Sequence, residues 1–271
     1  ALVACRAVLA GRRAPWQRPA ARAVPCRVAL GCGGRQPAAA EGLRIRAASG
    51  PEAAAVPPGT CCKLLHFVRH AESVANVQGA AFPKGSARRK RVHEDPQHFD
   101  SPLSAGGLAQ CAELRVGGSL PAVEVVAASP LTRALQTATE VFGCGASAAA
   151  PALYVLEALR EFNSSKFHPC DARRQRDELQ PTFPHADFTG MPPGADALLG
   201  PGKLETATGA DARVQQLLAW LRARPERSIA CVSHGAFLRR LFGAHLAPAG
   251  WPGRLERFEN LEVRSVTIFF K

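Results

Sequence analysis

Leu64–Asn76 reads LLHFVRHAESVAN, an apolar run that ends abruptly in charged and polar residues. The run from Leu64 to Val68 contains branched and aromatic members, which predicts a buried strand. Arg69 and His70 follow at its carboxyl end, and the small and polar residues after them predict a loop that leads into a helix. Ligands bind at the carboxyl ends of strands in open α/β sheets, so this cation and imidazole indicate a binding site.

Two further apolar runs end in the same way. Val123–Ala127 precedes Ser129–Thr139, which reads SPLTRALQTAT, and Ser228–Gly235 reads SIACVSHG. Three strand-like runs therefore each end in Ser, His or Arg.

With these three motifs the chain resembles the histidine phosphatase superfamily, from about residue 62 to the C-terminus. Arg69-His70 with Asn76 resembles the nucleophile motif of that family. Ser129-Pro130-Leu131 with Arg133 resembles its second arginine motif, and Ser233-His234-Gly235 resembles its second histidine motif. The resemblance implies an α/β fold of the phosphoglycerate mutase-like type. This fold is a three-layer α/β/α sandwich with a mostly parallel central sheet and an antiparallel edge strand.

The resemblance also implies the catalytic residues. His70 is the expected nucleophile, because one imidazole nitrogen can be held by a backbone carbonyl while the other attacks phosphorus. His234 is expected to donate to the phosphate oxygens, in its protonated form beside the dianion. Glu161 is the expected acid for the leaving group, and Glu157, four residues earlier, is the alternative.

The expected substrate-binding residues are Arg69, Arg133 and Asn76. A guanidinium can bind phosphate oxygens through paired N–H donors, and two of them offset the charge of a phosphate and its transition state. Asn76 matches the pocket asparagine of the family, and capping of a helix is its alternative role. No metal or other cofactor is expected, because the chain lacks an evident carboxylate cluster that could hold a metal ion.

The function expected from these residues is that of a phosphatase, a phosphomonoester hydrolase that acts through a phosphohistidine. A phosphoglycerate mutase, which returns the phosphoryl group to the product, is the alternative enzyme. The mutases of this family usually carry a G-W-x-D element after the nucleophile motif, and residues 77–100 contain no Trp. An inactive binding module on the same fold is the third alternative, and the intact Arg and His residues argue against it.

The net charge of +12 is unevenly distributed. Residues 1–50 hold nine arginines and one acidic residue, Glu41, and so carry +8 of the total. Because the basic character lies mostly in one N-terminal segment, no nucleic acid partner is expected. No apolar stretch is long enough to span a bilayer, so no membrane partner is expected either. The expected partner is a small phosphorylated substrate.

Residues 1–60 are rich in Ala, Arg, Pro and Gly and show no lasting apolar periodicity. This composition cannot build a core and resembles a transit peptide, so we expect a disordered segment that targets a plastid or a mitochondrion. A disordered tail on a cytoplasmic protein is the alternative. Residues 61–271 are then the histidine phosphatase domain. Nine cysteines without a C-x-x-C pair predict free thiols in a reducing compartment.

Two segments match no motif. Residues 77–100 predict a loop with a basic cluster at 84–91, which either steers an acidic substrate or is simply solvated. Residues 163–203 contain six prolines and predict an insertion that covers the pocket. The other predicted elements are a helix from an N-cap at Ser104 to about Val116, a helix after Pro130, a strand at Ala152–Leu156, two helical turns in Arg173–Leu179, a helix within Leu204–Arg222 that begins after Gly209, a helix at Ala236–Leu246, and an edge or antiparallel strand at Val263–Phe270.

Overall fold

A seven-stranded sheet in the order β1-β7-β2-β6-β3-β4-β5 organises the chain. The computed structural model describes residues 43–45, 61–117, 120–200, 202–246 and 257–270. The strands are β1 (Leu43–Ile45), β2 (Cys61–Arg69), β3 (Val125–Ala128), β4 (Ala152–Val155), β5 (Ala186–Asp187), β6 (Ser228–Ser233) and β7 (Val263–Phe270). The helices are α1 (Val74–Ala80), α2 (Ala87–Glu94), α3 (Ala105–Val116), α4 (Thr132–Phe142), α5 (Arg176–Leu179), α6 (Ala207–Ala223) and α7 (Gly235–Arg240), and a π-helix over Leu241–Leu246 continues α7.

The sheet is mostly parallel, as predicted. Strands β2, β6, β3, β4 and β5 are parallel to their neighbours in this series. β7 runs antiparallel to β2, and β1 pairs antiparallel along the outer side of β7. The antiparallel strands therefore lie together at one edge of the sheet.

The central strands bury both of their faces, which is typical of a parallel sheet covered by helices on two sides. Leu65 and Phe67 of β2 belong to one hydrophobic cluster, with residues of α6 and α7. Val68 belongs to a second cluster on the other face, with Leu135 of α4. The three-layer α/β/α architecture predicted from the sequence is thus confirmed.

The register of the central strands aligns their carboxyl ends. Arg69 of β2 is paired with Ser233 of β6, and Ala128 of β3 is paired with Val232 of β6. The residues that directly follow these strands therefore emerge at the same edge of the sheet, although they are far apart in the sequence.

Two N-terminal caps fix the helices next to that edge. Ser104 caps α3 as predicted, since its hydroxyl accepts from the backbone N–H of Gly107 at 2.9 Å. α4 has no cap of its own, and Asp100 supplies one from another part of the chain. The buried Asp100 carboxylate accepts from the backbone N–H of Thr132 at 2.8 Å and from its hydroxyl at 2.6 Å.

Three local predictions were wrong. Residues 77–100 are not a loop, because Ser73 and Ser86 act as N-caps for α1 and α2 in this part of the chain. α6 begins before Gly209, because the hydroxyl of Thr206 accepts from the backbone N–H of Gly209 and caps the first turn. Only one of the two turns expected in 173–179 forms, as α5.

The predicted targeting segment, residues 1–60, lies outside the described residues apart from β1. The three residues of β1 pair through their backbone with the end of β7. Of the helices that the structure describes, none has both the length and the apolar character that crossing a membrane requires.

A chain that begins at Gly59 should fold, because every element that carries a predicted site residue begins at Cys61 or later. It loses the pairing of β1 with β7, which we expect to contribute about 1 kcal/mol, or about 2–4 °C in melting temperature. A chain that begins at Glu41 keeps β1 and should melt like the full chain, since residues 1–40 show no apolar periodicity. Calorimetric melting of the three chains tests this. A drop above about 10 °C for the shorter chain would contradict the domain boundary.

Candidate active site

The predicted site residues meet at the carboxyl edge of the sheet. His70 directly follows β2, His234 directly follows β6, and Arg133 lies in the first turn of α4 after β3. The ring centroids of His70 and His234 are 5.0 Å apart. All three side chains are buried. The aligned strand ends therefore assemble three motifs from separate parts of the sequence into one site.

The imidazole of His70 is held in one tautomer. Its Nδ1 lies 2.7 Å from the carbonyl oxygen of Ala71, so Nδ1 carries the proton and donates it. Nε2 is then an acceptor, and it receives a hydrogen bond from Nε of Arg133 at 3.2 Å. Burial, followed by the charges of Arg133 and Arg69, lowers the pKa of His70 well below its ordinary value. His70 is therefore neutral near pH 7, with the lone pair of Nε2 facing Arg133.

The guanidinium of Arg133 lies at the centre of the site. Besides its contact with His70, its Nη2 lies 3.2 Å from Nδ1 of His234. The same Nη2 forms an ion pair of 2.9 Å with Oδ1 of Asp171, and Nη1 donates to the carbonyl oxygen of Cys170. Two histidines and two residues of the 163–203 segment therefore converge on one guanidinium.

Asp171 is a site residue that the sequence analysis does not identify. Its side chain is buried, and its Oδ2 accepts a hydrogen bond from the amide of Asn163 at 3.3 Å. Its backbone carbonyl accepts from Nη2 of Arg160 at 2.6 Å, which anchors the residue from a second side. No motif or periodicity marks Asp171, because its pairing with Arg133 depends on how the 163–203 segment folds.

His234 is neutral in this environment. Nη2 of Arg133 donates to its Nδ1, so its Nε2 carries the proton and donates to the hydroxyl of Ser129 at 2.8 Å. Burial, followed by the charge of Arg133, lowers the pKa of His234 well below its ordinary value. The protonated form expected from the sequence requires an anion beside the ring, because a nearby negative charge raises the pKa of a histidine.

Arg69 supplies the second guanidinium. Its Nη1 donates to the carbonyl oxygen of Phe258 at 2.8 Å. Its Nε is buried and has no hydrogen-bond partner among the described residues. Burial, followed by the charge of Arg257, lowers the pKa of Arg69 to about 10, so it stays charged near pH 7. An unpaired N–H on a buried cation is suited to an anionic ligand.

Glu161 is held at the start of α7. The backbone N–H groups of Ala236 and Phe237 donate to its Oε1 at 3.1 Å and 2.9 Å, and the N–H of Phe162 donates at 2.9 Å. Burial, followed by the charge of Asp171, raises the pKa of Glu161, although the hydrogen bonds oppose this shift. The carboxyl group is therefore able to hold a proton closer to neutral pH than an ordinary glutamate.

Glu157, the alternative acid, has a structural role. Its carboxylate forms ion pairs with Arg160 at 2.9 Å and with Arg173 at 3.0 Å. Arg160 is also paired with Asp196 at 2.6 Å, so Glu157 belongs to a network of charges that anchors the 163–203 segment. The geometry favours Glu161 over Glu157 as a proton donor, because Glu157 is engaged by two guanidinium groups.

Asn76 caps α1. Its Oδ1 accepts from the backbone N–H of Ser73 at 3.3 Å, and its own N–H donates to the hydroxyl of Ser73 at 3.2 Å, which is a capping box. The capping alternative therefore describes its contacts in the structure, and a role in substrate binding stays a prediction. In the parts of the chain that the structure describes, no group of three or more His, Cys, Asp or Glu residues is placed to hold a metal ion.

Comparison with known proteins identifies the family of this chain. Residues 65–269 match the sequence model of the histidine phosphatase superfamily (branch 1). A phosphoglycerate mutase-like protein of Arabidopsis thaliana is 30% identical over 236 residues, which cover 76% of this chain and 84% of the relative. Phosphoglycerate mutase-like protein 1 of the same plant is 31% identical over 238 residues, with 76% and 81% covered.

A solved structure shares the fold. The ecdysone phosphate phosphatase of Bombix mori, in complex with tungstate, superimposes with a TM-score of 0.50. The alignment covers 75% of this chain and 88% of that chain, at 17% sequence identity. At this identity the similarity supports the architecture of the sheet and its helices, and it carries nothing about the substrate.

We predict that protonation of the buried histidines destabilises the fold as the pH falls. His70 and His234 have lowered pKa values when folded, so the unfolded chain binds more protons below about pH 6.5. The free energy of unfolding should therefore fall by about 1.4 kcal/mol per pH unit for each histidine below that pH. Urea unfolding between about pH 7 and pH 5 measures how the free energy of unfolding depends on pH. His234→Asn should reduce this slope by the contribution of about one bound proton. Equal slopes for the two proteins would contradict the neutral state of His234.

Proposed function

We propose that this chain, which belongs to the histidine phosphatase superfamily (branch 1), hydrolyses small phosphomonoesters through a phosphohistidine at His70. One observation carries the proposal. The Nδ1 proton of the buried, neutral His70 is held by the carbonyl of Ala71, so the lone pair lies on Nε2, the nucleophilic nitrogen. Nε of Arg133 donates to this nitrogen at 3.2 Å, and the charge of Arg69 also acts on the ring, so cations are in place for a phosphoryl group.

In the first step, Nε2 of His70 attacks the phosphorus atom in line with the ester oxygen. A bond from nitrogen to phosphorus forms while the bond from phosphorus to the ester oxygen breaks. Arg69 and Arg133 bind the equatorial oxygens, and the dianion favours the protonated form of His234 as a further donor. Glu161 gives its proton to the leaving oxygen, so that an alcohol is released rather than an alkoxide.

In the second step, water attacks the phosphohistidine and restores the site. The carboxylate of Glu161 accepts a proton from the attacking water, and the bond from phosphorus to Nε2 breaks with its electrons returning to His70. Inorganic phosphate leaves, and Glu161 is protonated again. The raised pKa of Glu161 suits both steps, since the same group must give and take a proton near neutral pH.

Binding of the phosphate requires Arg133 to exchange contacts. Its Nη2 is paired with Asp171 and His234, and its Nη1 donates to Cys170. A phosphate competes with the Asp171 carboxylate for the same guanidinium, so Asp171 keeps the cation ordered and paired between turnovers. We infer that this competition lowers affinity for inorganic phosphate and so favours product release.

Phosphoryl transfer to a second hydroxyl, as in a mutase, is the second candidate because two relatives carry the name phosphoglycerate mutase-like. Hydrolysis is favoured by residues 77–100, which lack the Trp of the mutase element and instead carry the basic cluster. Assays with a phosphorylated hydroxy acid separate the two, because a hydrolase releases inorganic phosphate and a mutase yields an isomer. A protein that turns over no ester at all would be the inactive binding module.

We expect a covalent intermediate on His70. Rapid quenching in base during turnover should trap a phosphoryl group that is stable in base and labile in acid, since phosphohistidine has these properties. His70→Ala should abolish both the label and turnover, whereas Cys111→Ala, a change elsewhere in the core, should keep both. Label retained in His70→Ala would assign the nucleophile elsewhere.

We expect the role of Glu161 to depend on the leaving group. An alkyl ester expels a basic alkoxide and needs the proton, so Glu161→Gln should slow formation of the phosphoenzyme by about 10²–10⁴-fold. The phenolate of an electron-poor aryl ester leaves with little help from an acid. For this ester, Glu161→Gln should therefore slow formation of the phosphoenzyme far less. Single-turnover kinetics on both esters measure the step directly, before dephosphorylation can mask it.

Glu157→Gln is the matched control for this experiment, because it removes a carboxylate four residues away that pairs with Arg160 and Arg173. It should show no dependence on the leaving group. Equal losses on both esters for Glu161→Gln would point to binding or water activation instead. A leaving-group dependence found only in Glu157→Gln would move the acid to that residue.

A further inference from the structure

Helix α2 carries most of the basic cluster, and core packing does not explain it. None of its eight residues is buried. Its sequence, ARRKRVHE, holds four cations from Arg88 to Arg91. Helices in proteins are stabilised mostly by the burial of an apolar face, which α2 lacks. Burial therefore does not explain the basic residues of α2, and their surroundings must be considered.

One face of α2 borders a cavity of about 230 Å³. Arg88, Arg91 and Val92 line it from α2, and Gln78 of α1 and the nearby Phe82 line it from the opposite side. The volume lies below the roughly 300–1,000 Å³ of pockets for drug-sized ligands, so it fits a small metabolite. The wall combines two cations, an amide and two apolar side chains.

The cations of this cavity are free to bind an anion. The side chains of Arg88 and Arg91 are exposed, and neither forms an ion pair or hydrogen bond with another residue that the structure describes. Asp95 is the one acidic residue among those that line the cavity, and its carboxylate already accepts from the backbone N–H of Gln97 at 3.0 Å and from the side-chain amide at 2.7 Å.

A buried histidine completes the wall. His98 lines the cavity and is 3% exposed. Its Nε2 is buried and has no hydrogen-bond partner among the described residues. Such unpaired polar atoms are rare in folded proteins, and a bound ion or water is one of the ordinary explanations.

We propose that this cavity is a second anion-binding site, which takes a small molecule with a phosphate or carboxylate group and a short apolar body. Arg88 and Arg91 provide charge-assisted hydrogen bonds to the anionic group. Phe82 and Val92 contact the apolar body, and Gln78 offers an amide.

The cavity is connected to the active site through one short segment. His98 is two residues before Asp100, whose carboxylate caps α4 at Thr132, the residue next to Arg133. The backbone N–H of Asp100 also donates to the carbonyl of Pro169 at 3.2 Å, next to the segment that pairs with Arg133. A ligand that contacts His98 therefore acts on the turn that positions the phosphate-binding guanidinium.

Two sources can supply this anion, and both have the same chemistry. It is either a separate effector molecule or a second anionic group on the substrate itself. The binding of a small probe to the cavity is common to both, and kinetic measurements separate them.

The test titrates the full chain with benzylphosphonate, whose carbon–phosphorus bond is not hydrolysed, and follows backbone amide chemical shifts. Two sets of shifts are expected, one around His70 and one around Gln78 and Gln97. The double variant Arg88→Gln/Arg91→Gln should raise the dissociation constant at the cavity by about tenfold or more and keep the shifts around His70. The matched control Lys84→Gln/Lys90→Gln removes the same charge from residues that do not line the cavity, and should keep both sets.

Kinetics on a neutral and on a carboxylated alkyl phosphate then assign the source. If the anion is a second group on the substrate, the arginine double variant should raise KM by about tenfold for the carboxylated ester alone. If the anion is a separate effector, benzylphosphonate should change kcat for the neutral ester, and the arginine double variant should remove this effect. In a chain that hydrolyses these esters, shifts at the cavity without either kinetic effect mean an adventitious anion only and overturn the proposal.

The absence of shifts around Gln78 and Gln97, or equal behaviour of the arginine and lysine variants, overturns it as well. These outcomes are independent of the proposed hydrolysis, because the titration measures binding and not turnover. A chain without phosphatase activity that still loses cavity binding in the arginine double variant would retain the second site.

Discussion

The guanidinium of Arg133 is the interaction on which the site depends. It contacts His70 after β2, His234 after β6, and Asp171 of the 163–203 segment. Three parts of the chain thus meet on one cation. Burial, followed by the charge of Arg133, keeps both histidines neutral, so the Nε2 of His70 carries a lone pair. Loss of this one side chain would remove a proposed phosphate ligand, raise the pKa of two imidazoles and leave the buried Asp171 carboxylate without its charged partner.

Burial of so many charges at one edge of the sheet costs free energy that the apolar core must offset. Buried ions are tolerated only when they are paired and hydrogen-bonded, and removal of one partner is more harmful than loss of the pair. The structure meets this condition through networks in which Arg160 binds Glu157 and Asp196, and Arg213 binds Glu205 at 2.6 Å. These networks hold the segment that carries Asp171, so its contact with Arg133 is fixed from behind.

Opposite influences act on the pKa of Glu161. The start of α7 supplies backbone N–H donors that favour its carboxylate, whereas burial and the charge of Asp171 favour the protonated acid. A group balanced in this way changes its protonation with a small change in nearby charge. In the proposed mechanism, arrival of a phosphate dianion adds negative charge and so favours the proton on Glu161 that the leaving group needs.

The sequence by itself determined the fold class and the placement of Arg69, His70, Arg133 and His234. Each lies at the end of a strongly apolar strand or shortly after it, and the local sequence pattern indicates where such strands end. Only the tertiary structure decided the pairing of Asp171 with Arg133, the tautomer of His70, the capping contacts of Asn76 and the ion pairs of Glu157. It also showed that residues 77–100 form helices that line a cavity, and not a loop. These features depend on contacts between residues distant in the chain, and a local pattern of side chains holds no record of which distant groups will meet.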